Sequence, residues 1–370
     1  VGDVAAAVTP ATSIVAFVSP NNPTGSVGTA DDLRALAAAA PNAILLADFA
    51  YIEFADRDLT DVALSLPNCV VVRTLSKAYG LAGLRVGYAI GPREVIGWMR
   101  AAGGPYAVAR PSVALAMARL TRDDGGMKRF VEQVRADRLR VEETLAAYGA
   151  TSTRSQGNFV YTTMDDPLWV RDILAGLGIA IRAYPGHPRQ GNSLRITLPG
   201  NQGECDRLIH ALRSAFSPEA IIVPHEGVLE SIEASTAERE AFGKLALRVP
   251  VGVCSNALRP AVDSLINRHG IQHLVKALVT EALLPPRTLE KSYLRLAEGL
   301  AARRVWALVT NRMEVEAARS QRMVPIAIVP KGPDSAVGRG LLQAGAAVVL
   351  PRLTDVLARL HNMPTAMLGN

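Results

Sequence analysis

The residues most suited to chemistry lie in Val70–Ile90, which reads VVVRTLSKAYGLAGLRVGYAI. An apolar, β-branched run at Val70–Val72 has the pattern of a buried strand. It breaks into Arg73, Thr74, Ser76 and Lys77, then into a turn carrying Gly80 and Gly83. Arg85 and a second strand-like run, Val86–Ile90, follow. An amine at the end of a buried strand is partly desolvated, which favours its neutral form as a nucleophile toward an aldehyde. Thr74 and Ser76 offer hydroxyls to phosphate oxygens, and Arg85 adds a forked, charge-assisted grip.

Earlier segments sharpen that chemistry. Ser19–Gly25 reads SPNNPTG and follows the apolar run Ile14–Val18. Asp48 ends the apolar run Ala43–Ala47, in LADFAY. An aspartate at the tip of a buried strand is costly without a cationic partner, and a protonated pyridine nitrogen is such a partner. Asn22 and Tyr51 are placed to hydrogen-bond a phenolic ring oxygen. A lysine for a Schiff base, an anion cradle and an acid for a ring nitrogen together suit pyridoxal 5'-phosphate.

SPNNPTG, D-x-A-Y, and T-x-S-K followed by A-G-L-R-x-G-Y occur in an order and spacing that resemble the fold-type-I, class I/II aminotransferases, and most of all the histidinol-phosphate aminotransferase group. The resemblance runs over about Val1–Phe216. It implies that Lys77 forms the Schiff base and Asp48 pairs with the pyridine nitrogen. It also implies that Asn22 and Tyr51 address the ring hydroxyl, while Thr74, Ser76 and Arg85 hold the phosphate. Arg195, in LRITL, matches the arginine that grips a substrate carboxylate or phosphate, and its fork suits either oxyanion. Asn158, in GNFV, matches a position near the substrate, and Arg182, in GIAIR, a second basic position favouring phosphorylated substrates. Phe49 departs from the group, which carries glutamate in D-E-A-Y.

These residues need an α/β frame to hold them. Pro20 and Pro23 keep their predecessors extended, so Asn21–Asn22 falls on a tight loop. Thr29–Ala40 reads as a helix capped by Thr29 or Asp31. The runs Ala43–Ala47, Cys69–Arg73 and Arg85–Ile90 predict strands alternating with helices, hence a parallel, doubly wound sheet with ligands at its carboxyl edge. Helices are predicted over Pro92–Ala102, Ser112–Leu120, Met127–Tyr148, Pro167–Leu177 and Gln202–Phe216. Thr151–Thr163 and Ser193–Leu198 read as strands.

The 370 residues, 49% of them apolar, suffice for two or three domains. The boundaries read as 1–108 for a cofactor-binding large domain, 109–217 for an α+β small domain and 218–370 for a further α/β domain. The net charge of +6 comes from dispersed basic residues with few aromatics, which argues against a nucleic-acid partner. Cys69, Cys205 and Cys254 lack disulfide or metal spacing and fit a reducing cytosol. No apolar run has membrane-spanning length. The chain opens at Val1 in mid-element and reads as a fragment of a longer gene product. By the resemblance, the preceding segment carries a Gly-rich turn at the phosphate, a ring-stacking aromatic residue and a tyrosine lent by a homodimer partner.

The tail resembles the haloacid-dehalogenase-like phosphatases in the order and flanks of AIIVPHEGVLES, VPVGVCSNALR and WALVTNRMEVE, and so implies a Rossmann-like domain. Its chemistry is eroded. Pro224 stands at the nucleophile position, Glu226 at the general-acid position, and Thr310 and Glu314 at the late acid pair. Ser255, Asn256 and Lys291 remain, too few carboxylates for a Mg²⁺ octahedron. This domain therefore reads as regulatory or as a scaffold.

The leading expectation is transamination between an amino acid or amino-alcohol phosphate and a 2-oxo acid. A decarboxylase of phosphorylated amino acids and an inactive binding or regulatory protein are the alternatives.

Overall fold

In the computed structural model, which describes residues 1–122, 124–280 and 286–361, the apolar runs around the lysine loop do form strands. They are Ile14–Val18 (β1), Ile44–Asp48 (β2), Cys69–Thr74 (β3) and Gly87–Ile90 (β4), side by side in that order in one sheet. The pairs β1–β2 and β2–β3 are parallel, while β4 returns antiparallel to β3. Register aligns Val18, Asp48 and Val72 in one row across the sheet, so β1, β2 and β3 deliver their following loops to a common carboxyl edge. β4 differs from the buried strand that its composition suggests: Tyr88 and Ile90 are exposed on the sheet's margin.

Thr29 caps the helix Ala30–Ala39 in a reciprocal box with Asp32. That helix and the sheet enclose a core of Val15, Phe17, Leu33, Leu36, Leu45 and Phe49. Phe49 is fully buried and meets Phe17 edge-on, so the residue following Asp48 serves packing.

The chain divides into two units: Val1–Ala146 with Thr151–Thr163 and Arg195–Cys205, and Ala147–Ala150 with Met164–Leu194 and Asp206–Asn370. In the first, the long helix Gly126–Ala146 buries Val131, Val134, Val141 and Leu145 along one stripe. The stretch expected as one strand over Thr151–Thr163 is two, Thr151–Ser152 (β5) and Phe159–Thr163 (β6), paired antiparallel. Ser155–Gly157 interrupts them because its groups bond elsewhere: Ser155 Oγ donates to the Phe159 carbonyl at 2.6 Å, and the Gln156 amide to that of Gly25 at 2.8 Å. Arg182–Ala183 (β7) and Ser193–Thr197 (β8) come next in the chain.

The second unit holds a wholly parallel sheet. Its strands are Ala220–Pro224 (β9), Val251–Ser255 (β10), Val275–Thr280 (β11), Val305–Val309 (β12), Val324–Ile328 (β13) and Val348–Leu350 (β14), ordered β11-β10-β9-β12-β13-β14. β9, β10, β12 and β13 are buried along their whole length, as strands covered on both faces must be. Trp306, fully buried, donates its indole N–H to the Ser214 carbonyl at 2.7 Å. Among the described residues no helix is long and apolar enough to cross a membrane.

Candidate functional site

The carboxyl edge of the first sheet assembles the site. Asp48, half-buried, is the last residue of β2. Its Oδ1 accepts the Ala50 N–H at 3.0 Å, and its carbonyl accepts the Ser19 N–H at 3.1 Å. The SPNNPTG loop therefore starts from the same point as the D-x-A-Y turn. That loop is closed by Asn21 N–H to the Ser26 carbonyl at 2.8 Å and Gly25 N–H to the Asn21 carbonyl at 2.7 Å. It contains cis peptides at Ser19–Pro20 and Asn22–Pro23 and exposes the Asn22 side chain.

Gly25 meets two demands at once. Its φ is +73°, and a Cβ there would lie 2.0 Å from Ser155 Oγ; only glycine suits both. Beside it, Thr153 Oγ1 donates to the Thr24 carbonyl at 2.6 Å.

Past β3, Thr74 Oγ1 accepts the Ser76 N–H at 3.1 Å and donates to the Val86 carbonyl at 3.4 Å. The lysine loop is thereby cinched at its base. Lys77 Nζ lies 5.3 Å from the centroid of the Tyr51 ring and has no carboxylate partner among the described residues. Tyr51 is buried and meets Phe159 edge-on at 5.3 Å. The Arg195 guanidinium lies 4.1 Å from the Phe159 centroid. Lys77, Tyr51, Phe159 and Arg195 thus form one continuous run of contacts, cation to ring, ring edge to ring, and ring to cation.

Two buried polar atoms near this stack have no hydrogen-bond partner among the described residues, Asn158 Oδ1 and Arg195 Nε. An acceptor, a forked cation and a free amine left over within one unit suit an anionic, aldehyde-bearing guest such as pyridoxal phosphate and a carboxylate or phosphate substrate. Among the described residues no cluster of three or more His, Cys, Asp or Glu could hold a metal ion.

Not every expected residue joins this group. Arg85 is exposed in a left-handed conformation, φ +56°, with its guanidinium hydrogen-bonded to the Ala82 carbonyl at 3.2 Å. Arg182 belongs to the second unit, where it is exposed and lies over its neighbour Tyr184.

Other residues emerge only in three dimensions. Arg73 Nη2 pairs with Glu53 Oε1 at 2.9 Å, tying the turn that follows Tyr51 to the strand that precedes Lys77. Burial pushes the Glu53 carboxyl up, against the pull of Arg73. A charged residue at the end of an apolar strand needs a partner, and that signal was present at Arg73 as it was at Asp48. On the other side, the helix Gly126–Ala146 grips both substrate-side segments. Arg138 Nη1 donates to the Gly157 carbonyl at 3.1 Å, and Asp137 Oδ2 accepts the Gly200 N–H at 3.0 Å. The Leu198 N–H donates to the Asn158 carbonyl at 2.9 Å.

Comparison with known proteins gives a consistent picture. The profile of the family described as aminotransferase class I and II matches residues 1–212. An aromatic amino acid aminotransferase of Corynebacterium diphtheriae is 36% identical over 222 residues, covering 58% of this chain and 61% of the relative. A histidinol-phosphate aminotransferase of Paracoccus denitrificans is 34% identical over 220 residues, covering 58% of this chain and 59% of the relative. Among solved structures, a provisionally assigned histidinol-phosphate aminotransferase of Erwinia carotovora atroseptica superposes with a TM-score of 0.51 at 30% identity, over 57% of this chain and 62% of that one. The chain spans about three fifths of the length of the curated relatives it matches.

Proposed function

Because the chain belongs to the class I and II aminotransferases, we propose that its first unit carries a pyridoxal 5'-phosphate site and that the whole protein moves an amino group from an amino acid or amino-alcohol phosphate to a 2-oxo acid. The observation carrying this reading is the unpaired Lys77 amine, 5.3 Å over Tyr51, on the sheet edge where Asp48 ends β2.

When bound, the cofactor supplies an aldehyde and an electron-accepting ring. The chain's residues then divide the work. Lys77 Nζ would hold the aldehyde and is the group placed to move the proton at the substrate Cα. Asp48 would pair with the ring nitrogen and keep it protonated, while Asn22 and Tyr51 would hydrogen-bond the ring hydroxyl. Thr74 and Ser76 would offer hydroxyls to the phosphate, and Arg85 would have to leave the Ala82 carbonyl to join them. Arg195 takes the substrate's carboxylate or phosphate, with Phe159 flat against its guanidinium and Asn158 beside it. Arg182, which belongs to the second unit, is given no part in this site. The working protein is read as a homodimer.

The domain reading follows: 1–108 for the cofactor, 109–217 for the substrate side, and 218–370 as a haloacid-dehalogenase-like domain without its chemistry. The parallel sheet with Pro224 closing β9 supports the last assignment, since a proline offers no nucleophile. That domain is expected to leave p-nitrophenyl phosphate uncleaved with Mg²⁺ present.

The test is spectroscopic. Adding pyridoxal phosphate to the full-length protein gives a visible absorption band that Lys77→Ala abolishes, and an amino donor with a 2-oxo acid then yields the exchanged pair without release of CO₂. A protein that stays colourless at saturating cofactor overturns the reading.

A further inference from the structure

The parallel sheet of the second unit reverses its strand order between β9 and β12, and sheets of this kind open a crevice for ligands where that reversal meets their carboxyl edge. The crevice here is lined by Pro224, Glu226, Ser255, Asn256, Tyr293 and Glu314. Its enclosed part is about 10 Å³, room for one water-sized group.

Three donors converge on one oxygen of Glu226. Ser255 Oγ and the Asn256 N–H each stand 2.8 Å from Oε1, and the Ala257 N–H stands 3.2 Å away. These are the groups an external anion would use, and the chain's own carboxylate already fills them. His225 Nδ1 stands 3.6 Å from the same oxygen, without a hydrogen bond, and pairs with it only when protonated. Oε2 takes none of these bonds. Burial opposes ionisation of Glu226, but His225 and the converging donors outweigh it and bring its carboxyl down to about 2.

Glu314, buried, uses Oε2 to accept the Thr310 N–H at 2.6 Å and its hydroxyl at 3.1 Å. Between these acids lies the most telling group. Tyr293 is fully buried, yet its hydroxyl lines the crevice without a hydrogen-bond partner among the described residues. Burial and the neighbouring acids push its ionisation well above the usual range, so it stays neutral, with an oxygen free to accept.

We propose that this crevice binds the ammonium head of a small primary amine, with Glu226, Glu314 and Tyr293 as acceptors. An ammonium is water-sized and presents three donors, matching the three acceptors. A phosphate meets two acids and finds the amides taken. A divalent cation requires more hard, ionised oxygens than the site supplies: burial pushes Glu314 toward its neutral form, and the described residues hold no metal cluster. A neutral carboxyl still accepts from an ammonium through its carbonyl oxygen. This inference stands independently of the aminotransferase reading.

The test uses the purified full-length chain and methylammonium chloride, followed by saturation-transfer NMR and calorimetry, with inorganic phosphate and Mg²⁺ as comparisons. Saturable methylammonium binding is expected, weakened about tenfold or more by Tyr293→Phe, as for one lost hydrogen bond to a charged group. Tyr293→Phe keeps the packed ring, and Glu226→Gln, which keeps an acceptor for the converging amides, is expected to weaken binding similarly. Circular dichroism verifies that both variants fold. Absent methylammonium binding, undiminished binding in both variants, or tighter binding of phosphate or Mg²⁺ at this site overturns the proposal.

Discussion

The Arg195 guanidinium lies 4.1 Å from the centroid of the Phe159 ring, and that same ring meets Tyr51 edge-on. One side chain therefore sets the plane of the candidate substrate cation and supports the ring beneath Lys77. Phe159→Leu keeps most of the buried volume, at a cost of about 1 kcal/mol in stability. It removes the flat face under Arg195, worth about 0.5–2 kcal/mol. Steady-state kinetics of the full-length enzyme are expected to show KM for the amino donor rising several-fold while kcat changes less.

Asp48 is tested by Asp48→Asn, because an asparagine oxygen keeps the bond from the Ala50 N–H and so preserves the turn. What is lost is the charge proposed to pair with the ring nitrogen. Cofactor affinity is expected to fall roughly 10- to 100-fold, the equivalent of one hydrogen bond to a charged group. Fluorescence titration of the apoenzyme measures it. Unchanged affinity and unchanged turnover would remove Asp48 from the site.

Gly25→Ala places a methyl group against Ser155 at a positive φ. The cost is about 1–3 kcal/mol from backbone strain alone, read as a lower urea midpoint. The double variant Gly25→Ala with Ser155→Gly is expected to recover only part of the loss, because the Cα of residue 155 still lies 2.7 Å from the added methyl and the bond from Ser155 Oγ to the Phe159 carbonyl is gone.

The Glu226 carboxyl, near 2 in the fold against an ordinary 4.5, gives a pH signature. A depressed acid contributes its full stabilisation above the unfolded value and loses it as pH falls through the folded one. The window is therefore pH 4.5 down to 2. Since the side chain is 39% exposed, solvent screening reduces the contribution to about 1–2 kcal/mol. Glu226→Gln is expected to flatten the acid dependence of denaturant unfolding across that window, and a wild-type-like slope refutes it.

Features set by neighbouring residues were legible in the sequence. Thr29 caps its helix with Asp32 as local chemistry dictates, and β1 begins and ends where the apolar run Ile14–Val18 does. Asp48 stood out because an acid at a strand tip has few tolerable explanations. Features set by distant pairing were not legible. Nothing local in TSTRSQGNFVYTT says that Ser155–Gly157 will bond to Phe159 and Gly25 rather than continue a strand. Tyr88 and Ile90 have strand composition, but whether a strand is central or marginal depends on which neighbours the chain supplies. Asp137 and Arg138 are charged residues on a helix, yet both are buried, and backbone groups of Gly200 and Gly157 bond to them there. Arg195 is legible from its motif, whereas its contact with the Phe159 ring, 4.1 Å to the centroid, comes from the pairing of distant segments.

Asp137 and Arg138 are consecutive on a single rod, and each fastens a different strand segment, one beside Asn158 and the other beyond Arg195. The same rod also reaches the turn after Tyr51, where Arg135 donates to the Ala55 carbonyl and Phe130 meets Phe54 edge-on, and Glu53 of that turn pairs with Arg73 on the strand before Lys77, so one helix touches both sides of the candidate site.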